Sequence, residues 1–211
     1  MQPWLSAAAF AAVVLLVAAR AHTQALPVSA PDGPFLAPQP ALLARVENEH
    51  VVTLDATAAQ GADRVKVAEA LVLFEQPLAT VLQLLTSTSR QTEYRPELQS
   101  LRIVKATEQS NLAEYQLRFM LRTLRYRART RWDFERGHIW WSLDPSFPNQ
   151  MKALDGLWEL RALDERRTLG HMSIRIDLGP ALPAALQDYA TRKKLPEAMD
   201  QVRRWVDANG R

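Results

Sequence analysis

The 211-residue chain contains no cysteine. That excludes a disulfide framework, a thiolate metal site, a cysteine nucleophile and thioether-anchored haem. Histidine is scarce: His22, His50, His138 and His171 are all there is, and no two stand in a His-x-x-x-His spacing, which leaves little material for a metal cluster. No Gly-x-Ser-x-Gly occurs, so Ser142 lacks a nucleophile elbow. An excess of one charge sign is missing too. Lys and Arg number 26 against 23 Asp and Glu, a formal +3 that is too even to argue for nucleic acid.

What is present begins with an unbroken apolar run at 7–19, too short to span a bilayer as a helix, which takes roughly 20 residues. Small-x-small steps follow at Ala19-Arg20-Ala21 and Thr23-Gln24-Ala25, so 1–25 reads as an export signal and the mature chain is expected in the periplasm or outside the cell. Residues 26–43 carry PVSAPDGPFLAPQP, low in charge and without a period, and read as a proline-rich spacer. The remaining 44–211 make one domain of ordinary size.

Within it, 47–57 and 64–74 read as two strands joined across the turn-like Gln60-Gly61-Ala62-Asp63. Pro77 opens a helical pattern through Leu78, Val81, Leu82 and Leu85. A strand is expected at 98–106. From Asn111 the period becomes two, changes parity near Thr123 and continues to Glu135, so a turn or bulge divides two long strands. Arg136-Gly137 closes the second, 139–143 is the next, Asp155-Gly156 reads as a turn, and 157–163 with 168–178 form the last hairpin. After Gly179-Pro180 the pattern is helical to the end, with Pro196 dividing it. Hairpin-length connections exclude a parallel βαβ sheet. The expected class is α+β: a curved antiparallel sheet of about six to seven strands wrapped around a long C-terminal helix.

This order resembles the START-like (SRPBCC) superfamily, which includes polyketide cyclases, coenzyme-Q-binding proteins and lipid-transfer domains. The phrases that carry the resemblance are Ile139-Trp140-Trp141-Ser142-Leu143-Asp144-Pro145, Gly156-Leu157-Trp158-Glu159-Leu160, the hairpin Asp164-Glu165-Arg166-Arg167-Thr168, and the Leu195-Pro196 step of the closing helix. The resemblance implies a helix-grip fold with a cavity between sheet and helix that binds hydrophobic molecules.

Inward positions expected to line such a cavity are Phe119, Tyr126, Trp132, Phe134 and Trp158 from the sheet. Met172, Leu186, Tyr189 and Met199 complete the set. Apolar and aromatic walls with a few polar tips suit a lipid, quinone, sterol or polyketide. The same side chains could instead pack as a solid core. Seven arginines between Arg118 and Arg136 face only Asp133 and Glu135, and alternation puts Arg125, Arg127, Arg129 and Arg131 on one face. That ribbon suits anionic headgroups, or it is a solvated face paired with neighbouring acids. Nucleic acid fits poorly with export and with the lack of interleaved exposed aromatics. No catalytic residue, metal or cofactor is expected. His138 sits at a turn, His171 faces outward, and Asp144, Asp155 and Glu159 near turns read as solvated. The primary expectation is a carrier of a hydrophobic small molecule without covalent chemistry. A cyclase or dehydratase acting on a polyketide-like substrate, and an envelope adaptor docking on anionic lipid, are the alternatives.

Overall fold

A computed structural model of the chain describes residues 39–54, 67–119, 122–178 and 194–210. The export signal, most of the spacer and the helical pattern at 182–193 lie outside the described residues. Three α-helices and eight strands are described, in the order α1 (Pro40–Glu49), β1 (Val51–Leu54), β2 (Val67–Phe74), α2 (Leu78–Thr86), β3 (Leu98–Ala106), β4 (Ser110–Phe119), β5 (Arg122–Asp133), β6 (His138–Leu143), β7 (Ala153–Ala162), β8 (Thr168–Asp177) and α3 (Leu195–Asn209). A 3-10 helix, Thr88–Glu93, follows α2. The strands form one open antiparallel sheet in the order β1-β2-β8-β7-β6-β5-β4-β3. The architecture is the expected α+β helix-grip, with eight strands rather than six to seven. None of the described helices is long and apolar enough to cross a membrane.

The pleat sorts side chains to two faces. The inner face, toward α2 and α3, is apolar: Val72, Phe74, Ile139, Trp158 and Met172 pack with Val81 and Leu85 of α2 and with Val202, Trp205 and Val206 of α3. A second inner cluster gathers Leu98, Ala113, Tyr115, Leu124, Tyr126 and Ala128 from β3–β5. The outer face of β1, β2 and β8 carries Val52, Leu71, Leu73 and Leu169, covered by Val46 of α1.

Helix α1 replaces the start of the expected first strand and the end of the spacer. Pro40 stands in its first turn, Leu42, Leu43 and Val46 share its buried side, and it stops at His50, which takes a left-handed φ of 63°. Its amphipathic stripe is short and the β-branched residues of β1 follow at once, so the segment carries the pattern of a strand. Gly156 also departs from expectation. It sits in the middle of β7 opposite Trp141, where a Cβ would overlap the indole ring, so glycine serves a close approach rather than a turn. Gly137, at φ 70°, does turn the chain between β5 and β6.

Candidate functional site

The two inner clusters differ in chemistry. Beneath α3 the packing is apolar, with the Phe74 and Trp158 rings 5.9 Å apart. On β4 and β5 the paired residues Tyr115 and Tyr126 stack at 4.8 Å with planes 6° apart, both buried, beside the small pair Ala113 and Ala128. No residue of α3 belongs to this second cluster.

Polar groups from the segment after the 3-10 helix converge on these tyrosines. Arg95 donates to Glu97 Oε1 at 3.1 Å and to Gln91 Oε1 at 3.2 Å, and its charge acts on the Tyr126 phenol. Tyr94 lies 4.6 Å from the Trp205 ring of α3, over which the Arg90 guanidinium also sits at 4.7 Å. Burial pushes the Tyr94 phenol up to about 12, with Arg95 opposing. Burial raises Tyr115 and Tyr126 as well. Burial disfavours the Arg95 charge, but Tyr126, Glu97 and Tyr94 outweigh it and hold the guanidinium protonated. At neutral pH the group is therefore an ion pair ringed by neutral phenols, able to donate or accept hydrogen bonds. Nearby on the inner face, Asn111 donates to Thr88 Oγ1 at 2.6 Å while its Oδ1, fully buried, finds no partner among the described residues.

Of the expected wall residues, Tyr126, Trp158 and Met172 are buried on the inner face, and Trp132 and Met199 pack against the cluster beneath α3. Phe134 is 48% exposed and stacks on Trp132 at 6.4 Å, so it stands on the surface rather than in a wall. The Phe119 side chain, Leu186 and Tyr189 lie outside the described residues. Arg95, Tyr94, Tyr115 and Asn111 escaped the sequence reading. Tyr115 was legible as the cross-strand partner of Tyr126, whereas Arg95, next to Pro96, looked like any turn residue.

The arginine series lies on the outer face, and its members fare differently. Arg127 donates to Glu114 and to Asp144 at 3.4 Å, and covers the Phe147 ring at 4.5 Å. Arg125 and Arg131 are exposed and Arg129 is half-buried. The turn carboxylates need correcting: Asp144 and Asp155 are 7% and 2% exposed, and Glu159 is mostly covered. Burial opposes the Asp144 charge, yet Ser146 and Arg127 overcome it and hold the carboxyl below its ordinary range. Arg175 pairs with Asp155 across strands, and His171 sits between Glu159 at 2.9 Å and Glu69 at 3.2 Å on the outer face as expected. His138 is buried and opens β6 rather than sitting at a turn. Among the described residues no three His, Asp or Glu side chains are arranged to hold a metal. A surface cleft of about 940 Å³ near Glu75, Asp164, Arg167 and Asp207 is ringed by charge and does not reach the inner face.

No family model matches the sequence. No curated protein matches it either. Solved structures do match in shape. The STAR-related lipid transfer protein from Xanthomonas axonopodis superposes with a TM-score of 0.60 at 13% identity, over 75% of this chain and 94% of that one. The Zhui aromatase/cyclase from Streptomyces sp. R1128 gives 0.59 at 15% identity, over 69% and 95%. Human STARD10 gives 0.59 at 12% identity, over 83% and 82%. The chain has the START-like helix-grip fold; at these identities the likeness carries the fold alone.

Proposed function

We propose that this chain binds and carries a hydrophobic small molecule on the inner face of the sheet, without covalent chemistry. The observation that carries the reading is the Arg95–Glu97 pair, set beside stacked Tyr115 and Tyr126 within an otherwise apolar face. An apolar body packs on aromatic and aliphatic walls, and a few fixed polar groups orient one hydroxyl, carbonyl or acid end. A lipid, quinone, sterol or polyketide meets that description. The apolar run at 7–19 and its small-residue steps support export to the periplasm or beyond. Organic extraction and mass spectrometry of protein purified from its native compartment should release a lipophilic molecule. Recovery of an empty protein that also takes up no lipophilic fluorescent probe would sink the reading.

The enzyme alternative rests on the action of the Arg95 charge on Tyr126. Arg95 against the Tyr126 phenol could polarise a substrate carbonyl while the phenol donates a proton, as cyclisation or dehydration of a polyketide-like chain requires. Under that reading Tyr126→Phe abolishes turnover of a poly-β-keto substrate and leaves its binding intact. Loss of binding in the same proportion would leave only the carrier.

A further inference from the structure

We propose that the outer face of β3–β5 docks on an anionic lipid bilayer. Between Leu98 and Asp133 there are eight Lys and Arg against three acids. Two of those acids are already engaged: Glu114 by Arg127 and Arg102, and Asp133 by Arg136. Arg127, in the middle of the β5 row, is thereby committed to holding the fold together. Arg125, Arg129 and Arg131 share its face, and none makes an ion pair with an acid of the described residues. Same-face residues of a strand lie about 7 Å apart, so the three cations form a row rather than a point. Exposed Arg118 and Lys105 on the neighbouring strands widen it.

Two further features point to a bilayer. The edge strand β3 exposes Val104, at 40%, in the bulge beside Lys105, where an aliphatic group can enter the headgroup layer. Half-buried Trp140 lies directly across from Arg131, an indole beside a guanidinium, as suits an interface. Single-stranded nucleic acid would need exposed rings between the cations. Here the cross-strand neighbours are Gln116 beside Arg125, and Leu112 and Ser142 beside Arg129, while Trp140 beside Arg131 is half-buried. This surface lies on the opposite face from the proposed ligand group and stands or falls independently of it.

The test is partition of the full chain onto vesicles of phosphatidylcholine with and without phosphatidylserine. Binding should require phosphatidylserine and weaken as salt rises. A cation near such a surface is worth about five-fold in partition, so R125Q/R129Q/R131Q should lose on the order of a hundred-fold, with its melting temperature unchanged because no ion pair is broken. Arg127→Gln should lower the melting temperature and change partition far less than the triple variant. Equal binding to both vesicle types, wild-type binding insensitive to salt, or tighter binding to an oligonucleotide than to phosphatidylserine vesicles would each overturn the proposal. The wild-type measurements decide the matter even where the triple variant fails to fold.

Discussion

The two halves of the inner face are built on one sheet and filled by different chemistry. Beneath α3, Phe74, Trp158 and Met172 meet Val202, Trp205 and Val206, and polar groups enter at the edge, where the Trp205 indole donates to Glu93 at 2.9 Å. Over β4 and β5, two phenols and two alanines occupy the equivalent positions among aliphatic side chains, with Arg95 beside them from the turn before β3. The Arg95–Glu97 pair stays about one third exposed, at 30% and 38%, so charge sits at the rim of this half while hydrocarbon fills the other. The difference accords with the proposed function, with stability carried by one half and recognition by the other. It is broken most directly by truncating the first. Trp158→Ala should cost about 3–5 kcal/mol in urea unfolding, as large aromatic-to-alanine changes in cores do. A cost below about 1 kcal/mol would show the half beneath α3 to be loosely filled and erase the contrast.

The next largest effect belongs to Tyr94, at the edge of the cluster beneath α3, and is read with alkali. Tyr94 ionises near pH 10 in the unfolded chain and only at about 12 when buried in the folded one. The folded state therefore holds the proton longer. Its stability is intact below pH 10 and falls as the pH rises from there toward 12, by on the order of 2–3 kcal/mol at ~1.4 kcal/mol per pH unit. Tyr115 and Tyr126 shift in the same direction. Tyrosinate absorbance should consequently appear together with loss of the folded circular dichroism signal. Smooth titration of these phenols near pH 10 in a folded protein would place them in water and remove the enclave.

A third test concerns whether the halves are separable. Trp141 packs against both clusters, and its indole lies over Gly156. Gly156→Ala should cost about 1–3 kcal/mol by forcing the ring aside. Because the ring is shared, uptake of a lipophilic probe should fall as well. Unchanged uptake in the destabilised variant would show the halves to be independent.

Much of this was legible from spacing. Strand β3 spans 98–106 as read, Pro77 caps α2, and the alternation of 111–135 correctly put Tyr126 inward and the arginines outward. Period reports which face a residue takes, but not what covers that face. That is why Asp155 and Glu159, beside apparent turns, were read as solvated although Arg175 and His171 cover them from β8, some twelve to twenty residues away. The same gap hid Arg95: nothing local in Tyr94-Arg95-Pro96 announces that β5 brings Tyr126 against it. Gly156 was misread because glycine marks a turn and a close approach with the same letter.

The smallest expected effect on stability decides most about function. Ala113 and Ala128 face each other across β4 and β5 and are buried beside the tyrosine pair. If the second cluster were a solid core, Ala128→Leu would overpack it and cost about 1–3 kcal/mol. If the space above these alanines receives the body of a ligand, the added methyls enter room that the free protein already has. The change in unfolding free energy should then stay within about 0.5 kcal/mol, as for substitutions that disturb no packed feature. Probe uptake and the yield of extracted lipophile should fall sharply, because the leucine occupies the ligand's place. Arg95 and Tyr126 are untouched by the change, so lost uptake would report on volume rather than on polar recognition. A variant destabilised as a packed core predicts, with uptake intact, would mean that the alanines fill the interior and that the polar group serves only the fold.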